Sequence, residues 1–395
     1  MDKPLYTCKP IASIGLLAKT LGVHPNHLVD VANKVDTSYT SFELAPHPKT
    51  GKVRTVLEAK KNLKRIQKRI NSRIFSNVKF PAYLQGGLKS DESTQRDYIE
   101  NARLHSHCRT LIQLDVRNFY PNIKPIYVEP VFKQLFRFND EVSQILTQLT
   151  TYKNSVPQGG CTSSYIANLL FFNSEYHLVS KLRGQGLQYS RLLDDITISS
   201  QEELSKQKCE EVIKLVAGML TKYGLKLKGS KTQKEYRSNR NANLEVTGVW
   251  VKHRAPKVRK EERRYVRQLV YVCEQKAKVS KTTQEYHEHW NRTSGLVAKL
   301  ERLEHGQAKK YRERLRAILP IYSESTANQV LKSVNAALKV PKTSHKDLGR
   351  VNRLNKIYYQ LSILSRTKRY EAKKARRQLK KYYSSSPTKQ EIWEI

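Results

Sequence analysis

Cysteine is scarce and scattered. The five cysteines of this 395-residue chain (Cys8, Cys108, Cys161, Cys209 and Cys273) stand far apart and never as Cys-x-x-Cys. That excludes a zinc module built on such pairs and a disulfide scaffold, and points to a reducing, cytoplasmic setting. Long apolar runs are also missing: no stretch reaches the roughly 18 apolar residues of a membrane span. The segment from Ile11 to Val23 is interrupted by Lys19 and lacks a small-residue cleavage site. Neither a secretory leader nor a membrane partner is expected. Negative charge is the third shortage, with 35 acidic against 73 basic side chains and a net charge of +38. Internal ion pairs cannot neutralise such an excess, so the expected partner is a polyanion. Apolar residues still make up 38% of the chain, enough for a folded protein of two or three domains.

The charge is uneven. Residues 251–395 hold 36 basic and 13 acidic residues, a net of +23, whereas residues 1–250 carry a net of +15. Most glycines and the short β-branched runs lie in the first part, and from about Lys257 the spacing predicts amphipathic helices. Leu296, Val297, Leu300 and Leu303 form one helical stripe, and Val266, Leu269, Val270 and Cys273 another; both are expected to be core. Towards the end, Tyr358, Tyr359, Tyr370, Tyr382 and Tyr383 alternate with Arg366, Lys368, Arg369, Lys373, Lys374, Arg376, Arg377, Lys380 and Lys381. Aromatic rings that stack on unpaired bases, beside cations that follow phosphates, suit single-stranded or structured nucleic acid; a solvated helix face would share the composition. Ser384 to Pro387 reads as a short flexible break, and Leu16 to Val23 as the start of a helix-turn-helix, which fits N-terminal helices of the main fold better than a separate DNA-reading module.

Three carboxylates carry the chemistry. Asp115 ends the apolar run Leu111, Ile112 and Leu114, where an acid is out of place in a buried strand. Asp194 and Asp195 follow 79 and 80 residues later, between the strand-like runs 189–193 and 196–199, as the acids at a hairpin tip. An isolated Asp-Asp pair is ordinarily a polar turn. Brought together, though, three acids repel one another and call for a divalent cation; two magnesium ions about 3.5–4 Å apart clamp an in-line phosphoryl transfer. Between the acids, Val156-Pro157-Gln158-Gly159-Gly160 opens the apolar helical run from Tyr165 to Phe172. Glycine there lets backbone approach a ligand closely, and Gln158 adds an amide able to read a base or sugar edge.

The order Asp115-x-x-x-Phe119-Tyr120-Pro121-x-Ile123, Pro157-Gln158-Gly159 with Ser163, and Leu192-Leu193-Asp194-Asp195 resembles the first three catalytic motifs of reverse transcriptases. Gly224-Leu225 with Lys231-Thr232, Val246-Thr247-Gly248-Val249 and Gly51-Lys52-Val53-Arg54-Thr55-Val56 are similar to three further family segments. Asn101-Ala102-x-x-His105 and the Val-Thr-Gly triplet specifically resemble retron and related defence-associated bacterial reverse transcriptases. The resemblance covers residues 10–252. One position departs from it, since Leu192 stands where the family usually has the tyrosine of Tyr-Ala-Asp-Asp; both acids of the motif are retained.

The resemblance implies an α+β right-hand polymerase: fingers and palm (an antiparallel sheet with packed helices) over 1–252, then an all-helical basic thumb and RNA-binding extension over 253–395. Asp115, Asp194 and Asp195 would be catalytic and, with the Val116 carbonyl, would hold two Mg2+ ions, Mn2+ being able to substitute. Nucleotide contacts would come from Arg54, Lys52, Phe119, Tyr120, Gln158, Gly159 and Lys231, with Tyr120 excluding a 2′-hydroxyl and Lys231 near the departing pyrophosphate; either lysine also fits an ordinary surface charge. Asn101 and His105 would fix local structure. The implied activity is RNA-directed DNA synthesis from dNTPs on an associated noncoding RNA template, giving a cDNA product in bacterial anti-phage defence. A homo-oligomer or a defence-system partner protein is compatible with it. Template-independent nucleotidyl transfer on the same fold and a catalytically silent RNA-binding scaffold are the competing expectations.

Overall fold

The computed structural model describes residues 2–46, 51 and 53–394. The chain divides into two compact units, Met1–Pro256 and Lys257–Ile395. Among the described residues no helix is long and apolar enough to cross a membrane.

The first unit is built on a four-stranded antiparallel sheet in the order Leu187–Leu192, Asp195–Ser200, Thr110–Asp115, Gln233–Tyr236. Side chains alternate across each strand. Ile112 and Leu114 therefore enter the same core as Ile196 and Ile198, shared with Val212, Val216 and Leu220 of the helix Lys206–Thr221. Gln113 and Asp115 take the other face, paired in register with Thr197 and Asp195. This alternation, hydrophobic on one side and polar on the other, is what makes one face of the sheet a floor for chemistry.

A two-stranded ribbon, Tyr39–Leu44 with Arg54–Ala59, leads into the helix Lys61–Arg73, whose Leu63, Ile66 and Ile70 are buried at helical spacing. Arg69 from that helix donates to the carbonyls of Leu21 and Gly22 at 2.9 and 2.8 Å, satisfying the end of the helix Ile14–Leu21. The N-terminal pair, Ile14–Leu21 and Pro25–Asn33, thus packs into the first unit's core through Leu17, Leu21 and Leu28. Gln67, fully buried, donates to the Tyr39 hydroxyl and the Leu149 carbonyl and accepts from the Cys161 amide. One side chain so ties the ribbon to the glycine-bearing loop.

In the second unit Val266, Val270 and Cys273 pack with Val297, Leu300, Tyr311 and Leu315, joining the helices Lys260–Val279, Gln284–Arg302 and Ala308–Ala317. Both apolar stripes read from the sequence are core-facing, with Leu296 and Leu303 at its margin. A second cluster joins Glu324–Ala337, Leu348–Leu364 and Arg369–Tyr382.

Asn101 and His105 prove to be a clamp on the sheet. Ser190 Oγ donates to Asn101 Oδ1 at 2.7 Å, so it accepts from His105 Nε2 at 2.7 Å; His105 Nδ1 then accepts from Ser199 Oγ at 2.8 Å. One neutral imidazole ties the strands Leu187–Leu192 and Asp195–Ser200 together. Thr247 donates to the Tyr98 carbonyl at 2.6 Å, so the two segments that carry the retron-like sequence meet. Burial pushes His105 down to about 3. Unfolded histidine binds a proton near pH 6.5, so between about pH 6.5 and 3 the unfolded chain holds the extra proton; stability is complete above this window and lost as pH falls, by about 1.4 kcal/mol per unit. Thermal denaturation from pH 7.5 to 4.5 is expected to show a steeper acid loss for the native protein than for His105→Gln. Parallel slopes would contradict this account.

Candidate active site

Register fixes the first contact of the site. Asp115 is the cross-strand partner of Asp195, and only Leu193 and Asp194 separate the paired Leu192 and Asp195 at the hairpin tip. The Asp194 carbonyl accepts the Val116 amide at 3.0 Å, which seats the tip on the end of the central strand. Like charges directly opposite one another in a sheet are unfavourable. Asp195 is pushed up to about 6, first by withdrawal from water and then by the charges of Asp194 and Asp115. Asp194 is raised for the same reasons, burial first, against the opposing pull of Lys231 and Arg54.

Lys231 answers that repulsion. It ends the turn Gly229–Lys231, held beside the central strand by the Lys228 amide donating to the Asp115 carbonyl at 2.8 Å. Its ammonium donates to Asp115 Oδ2. Asp115, Asp195 and Lys231 border a cleft of about 320 Å3 whose floor continues through Gln113, Thr197 and Gln233, with Thr247 at one side. Among the described residues no group of three or more His, Cys, Asp or Glu side chains is spaced to grip a metal ion. In this arrangement the cation against the carboxylates is an ammonium.

Arg54 starts the second ribbon strand and is exposed, close enough to act on the Asp194 charge. The adjacent backbone binds the glycine loop, Leu57 donating to the Gln158 carbonyl at 2.9 Å. Gly159 has φ +104°, and a Cβ there would fall 2.5 Å from Val56 Cγ1 and 2.7 Å from the Leu57 carbonyl. Glycine is thus required for this loop to lie on the ribbon, while Gln158 stays exposed. Tyr120 is half-buried and pushed up to about 12, by burial first and then by the Asp194 charge. Phe119 departs from its expected role: it is buried, its ring stacked on Phe171 at 6.2 Å and 5.7 Å from Tyr120, so it supports Tyr120 instead of facing a nucleotide. Lys52 lies outside the described residues.

The terminal basic segment is more structural than its composition suggests. Arg366 donates to the Pro320 carbonyl and sits over Trp290, Lys368 pairs with Glu324, and Arg376 donates to the Tyr358 carbonyl. Tyr382 and Tyr383 turn inward and donate to the carbonyls of Val340 and Ala337, so they do not extend the stacking surface. Tyr359 and Tyr370 are exposed, as are Arg369, Lys373, Lys374, Arg377, Lys380 and Lys381. Ser386, in the stretch expected to be a flexible break, donates to the His345 carbonyl at 2.9 Å.

The sequence reading missed the buried pair formed by Arg191 and Glu175. Its one signal was an arginine inside a strand-like run, immediately ahead of the acids.

An antiparallel sheet that sets two strands' carboxylates face to face, with a lysine on them and an arginine and a glycine loop at hand, is the floor of an α+β polymerase. The chain belongs to the reverse transcriptase family: residues 45–268 match the family described as reverse transcriptase (RNA-dependent DNA polymerase). It is similar to the retron Se72 reverse transcriptase of Salmonella heidelberg (strain 579083-10), with 44% identity over 382 residues, 96% of this chain and 98% of that one. The retron Ec48 reverse transcriptase of Escherichia coli is 30% identical over 92% of this chain and 90% of its own. The retron Ec86 reverse transcriptase of Escherichia coli is 24% identical over 60% and 70%. The protein is accordingly an RNA-directed DNA polymerase.

Gly159→Ala forces a side chain into the ribbon at a backbone angle that disfavours it, a strain of about 1–3 kcal/mol. Chemical denaturation is expected to show a loss of that order; an unchanged midpoint would mean the loop does not sit on the ribbon.

Proposed function

We propose that this reverse transcriptase copies an associated noncoding RNA into DNA by two-metal nucleotidyl transfer, in bacterial defence against phage. The observation that carries the proposal is Asp115 facing Asp195 across neighbouring strands, with Asp194 at the tip beside them. The donor chemistry fits a hard divalent cation: the Asp115 and Asp194 carboxylates and the Val116 carbonyl offer oxygen alone, and Asp115 already attracts the ammonium of Lys231. Asp115, Val116 and Asp194 would hold magnesium, or manganese in its place, with Asp195 an auxiliary carboxylate. When bound, such ions supply Lewis-acid activation of the attacking hydroxyl and neutralise charge on the phosphates.

The other groups divide the remaining work. Arg54 meets the triphosphate with a guanidinium fork suited to phosphate oxygens, with Lys52 as its neighbour in sequence. Tyr120 underlies the sugar and excludes a 2′-hydroxyl, favouring deoxynucleotides. Gln158 and Gly159 bring an amide and bare backbone to the base pair. Lys231, whose ammonium donates to Asp115 in this arrangement, would donate a proton to the departing pyrophosphate. Residues 1–252 serve as fingers and palm and 253–395 as thumb and RNA grip, the exposed Arg369, Lys373, Lys374, Arg377, Lys380 and Lys381 meeting phosphates, with Arg366 and Arg376, also exposed, and Lys368 tied into the fold beside them. Similarity to retron reverse transcriptases along nearly the whole chain supports the noncoding-RNA template and the defence setting.

Asp194→Ala is expected to abolish magnesium-dependent dNTP incorporation while RNA binding persists, and the product sequenced from the native enzyme is expected to complement its bound RNA. Incorporation by Asp194→Ala would remove the site; a product unrelated to the RNA would remove templated copying. Lys231→Ala is expected to slow incorporation about 100-fold, the scale of general-acid catalysis. RNA affinity is expected to fall steeply between about 50 and 200 mM salt. A salt-insensitive complex would remove the phosphate grip.

A further inference from the structure

Leu193, the first of the two tip residues, has φ +62°. A leucine held in that left-handed region is strained and persists only where its surroundings over-determine it. Two groups do so here. Gly86 presses on the tip from one side: a Cβ there would stand 2.9 Å from both Leu192 C and Leu193 N, and Asn168 Nδ2 holds the Gly86 carbonyl at 2.8 Å. Arg191 supplies the other constraint. It is 0% exposed, and each of its five N–H donors has an acceptor. Nε and Nη2 bind Glu175 Oε1 and Oε2 at 2.6 and 2.8 Å, while Nη2 and Nη1 reach the carbonyls of Asn168 and Ala167 at 3.2 Å each. The remaining Nη1 donor bonds the Leu193 carbonyl at 3.2 Å. Glu175, 2% exposed, also accepts from the Tyr189 hydroxyl at 2.7 Å. The face of the Phe171 ring lies 5.0 Å from the guanidinium.

The geometry points to Arg191, anchored by Glu175, as the positioning residue that clamps the strained Leu193 turn and thereby aims the carboxylate of Asp194. It touches no substrate. It acts through one carbonyl, one residue before the acid. The inference rests on the proposed catalytic role of Asp194, and that role is tested separately by Asp194→Ala.

Arg191→Lys keeps the charge but not the five-donor fork. It is expected to lower kcat about 10–100-fold, the scale of a small misplacement of reacting groups. The KM for dNTP should stay within about twofold and RNA retention should be unchanged, because binding groups elsewhere are untouched. A buried lysine also threatens folding, so a second variant removes the pair and its hydroxyl partner together: Glu175→Leu with Tyr189→Phe and Arg191→Met. Replacing a buried ion pair by apolar groups is often neutral for stability. This variant is expected to melt near the native temperature and still lose kcat. Adding Leu193→Gly, which relaxes the turn, is expected to restore about tenfold of the kcat lost by Arg191→Lys, a coupling read by a double-mutant cycle. A stable triple variant with native kcat would overturn the clamp, as would Leu193→Gly and Arg191→Lys losses that simply multiply. Native kcat in Arg191→Lys together with an inactive Asp194→Ala would overturn the clamp and leave the catalytic reading standing.

Discussion

Repulsion between carboxylates on one face of a sheet is the constraint from which the rest follows. Pairing Asp115 with Asp195 and turning the chain through Asp194 places three acids where no fold would gather them for stability. Asp194 and Asp195 are both pushed up, by burial first and then by the neighbouring carboxylate charge. Everything close by is arranged to bear it: Lys231 donates to Asp115, Arg54 acts on Asp194, and the open cleft leaves room for further positive charge. A sheet that tolerates such a cluster must be held by something other than the cluster.

What holds it is a set of polar side chains buried in the hairpin. Near its base, His105 binds Ser190 and Ser199 on adjacent strands through a neutral network. Near its tip, Arg191 uses a charged one. Both are fully satisfied, which is the condition under which buried polar groups specify a geometry instead of merely destabilising it. A one-residue slip of the strand Asp195–Ser200 would turn Asp195 into the hydrophobic layer of Ile112 and Leu114 and expose Ile196 and Ile198, so pinning the hairpin also protects the placement of the acids.

The acids were legible in the sequence because their signal is local: an aspartate ending an apolar run, and two more between strand-like runs. Gly159 was legible for a similar reason, although only the packing against Val56 and Leu57 explains why glycine is needed. The two helical stripes of the second unit followed from spacing alone. Phe119 was misassigned because a sequence motif does not say which of two adjacent aromatic rings turns inward. Tyr382 and Tyr383 looked like a stacking surface, yet their hydroxyls find backbone carbonyls 42 and 46 residues away. The pairing of Arg191 with Glu175, 16 residues apart and on different elements, is a property of the folded chain that no window of sequence contains.

The charge balance at Arg191 explains why its partner must be an acid. A bare guanidinium three residues from Asp194 would compete with any cation drawn to the carboxylates. With its Nε and Nη2 engaged by the Glu175 carboxylate, the pair is neutral as a unit, and the charges that bear on Asp194 are those of Asp115, Lys231 and Arg54. Arginine can then act as a rigid, five-pronged hydrogen-bond donor, oriented by its planar fork. A neutral donor such as glutamine offers two N–H groups and could not reach the carbonyls of Ala167, Asn168 and Leu193 at once. The ion pair therefore separates two demands that conflict at this tip, a fixed backbone and an electrostatic field left free for the substrate's charge.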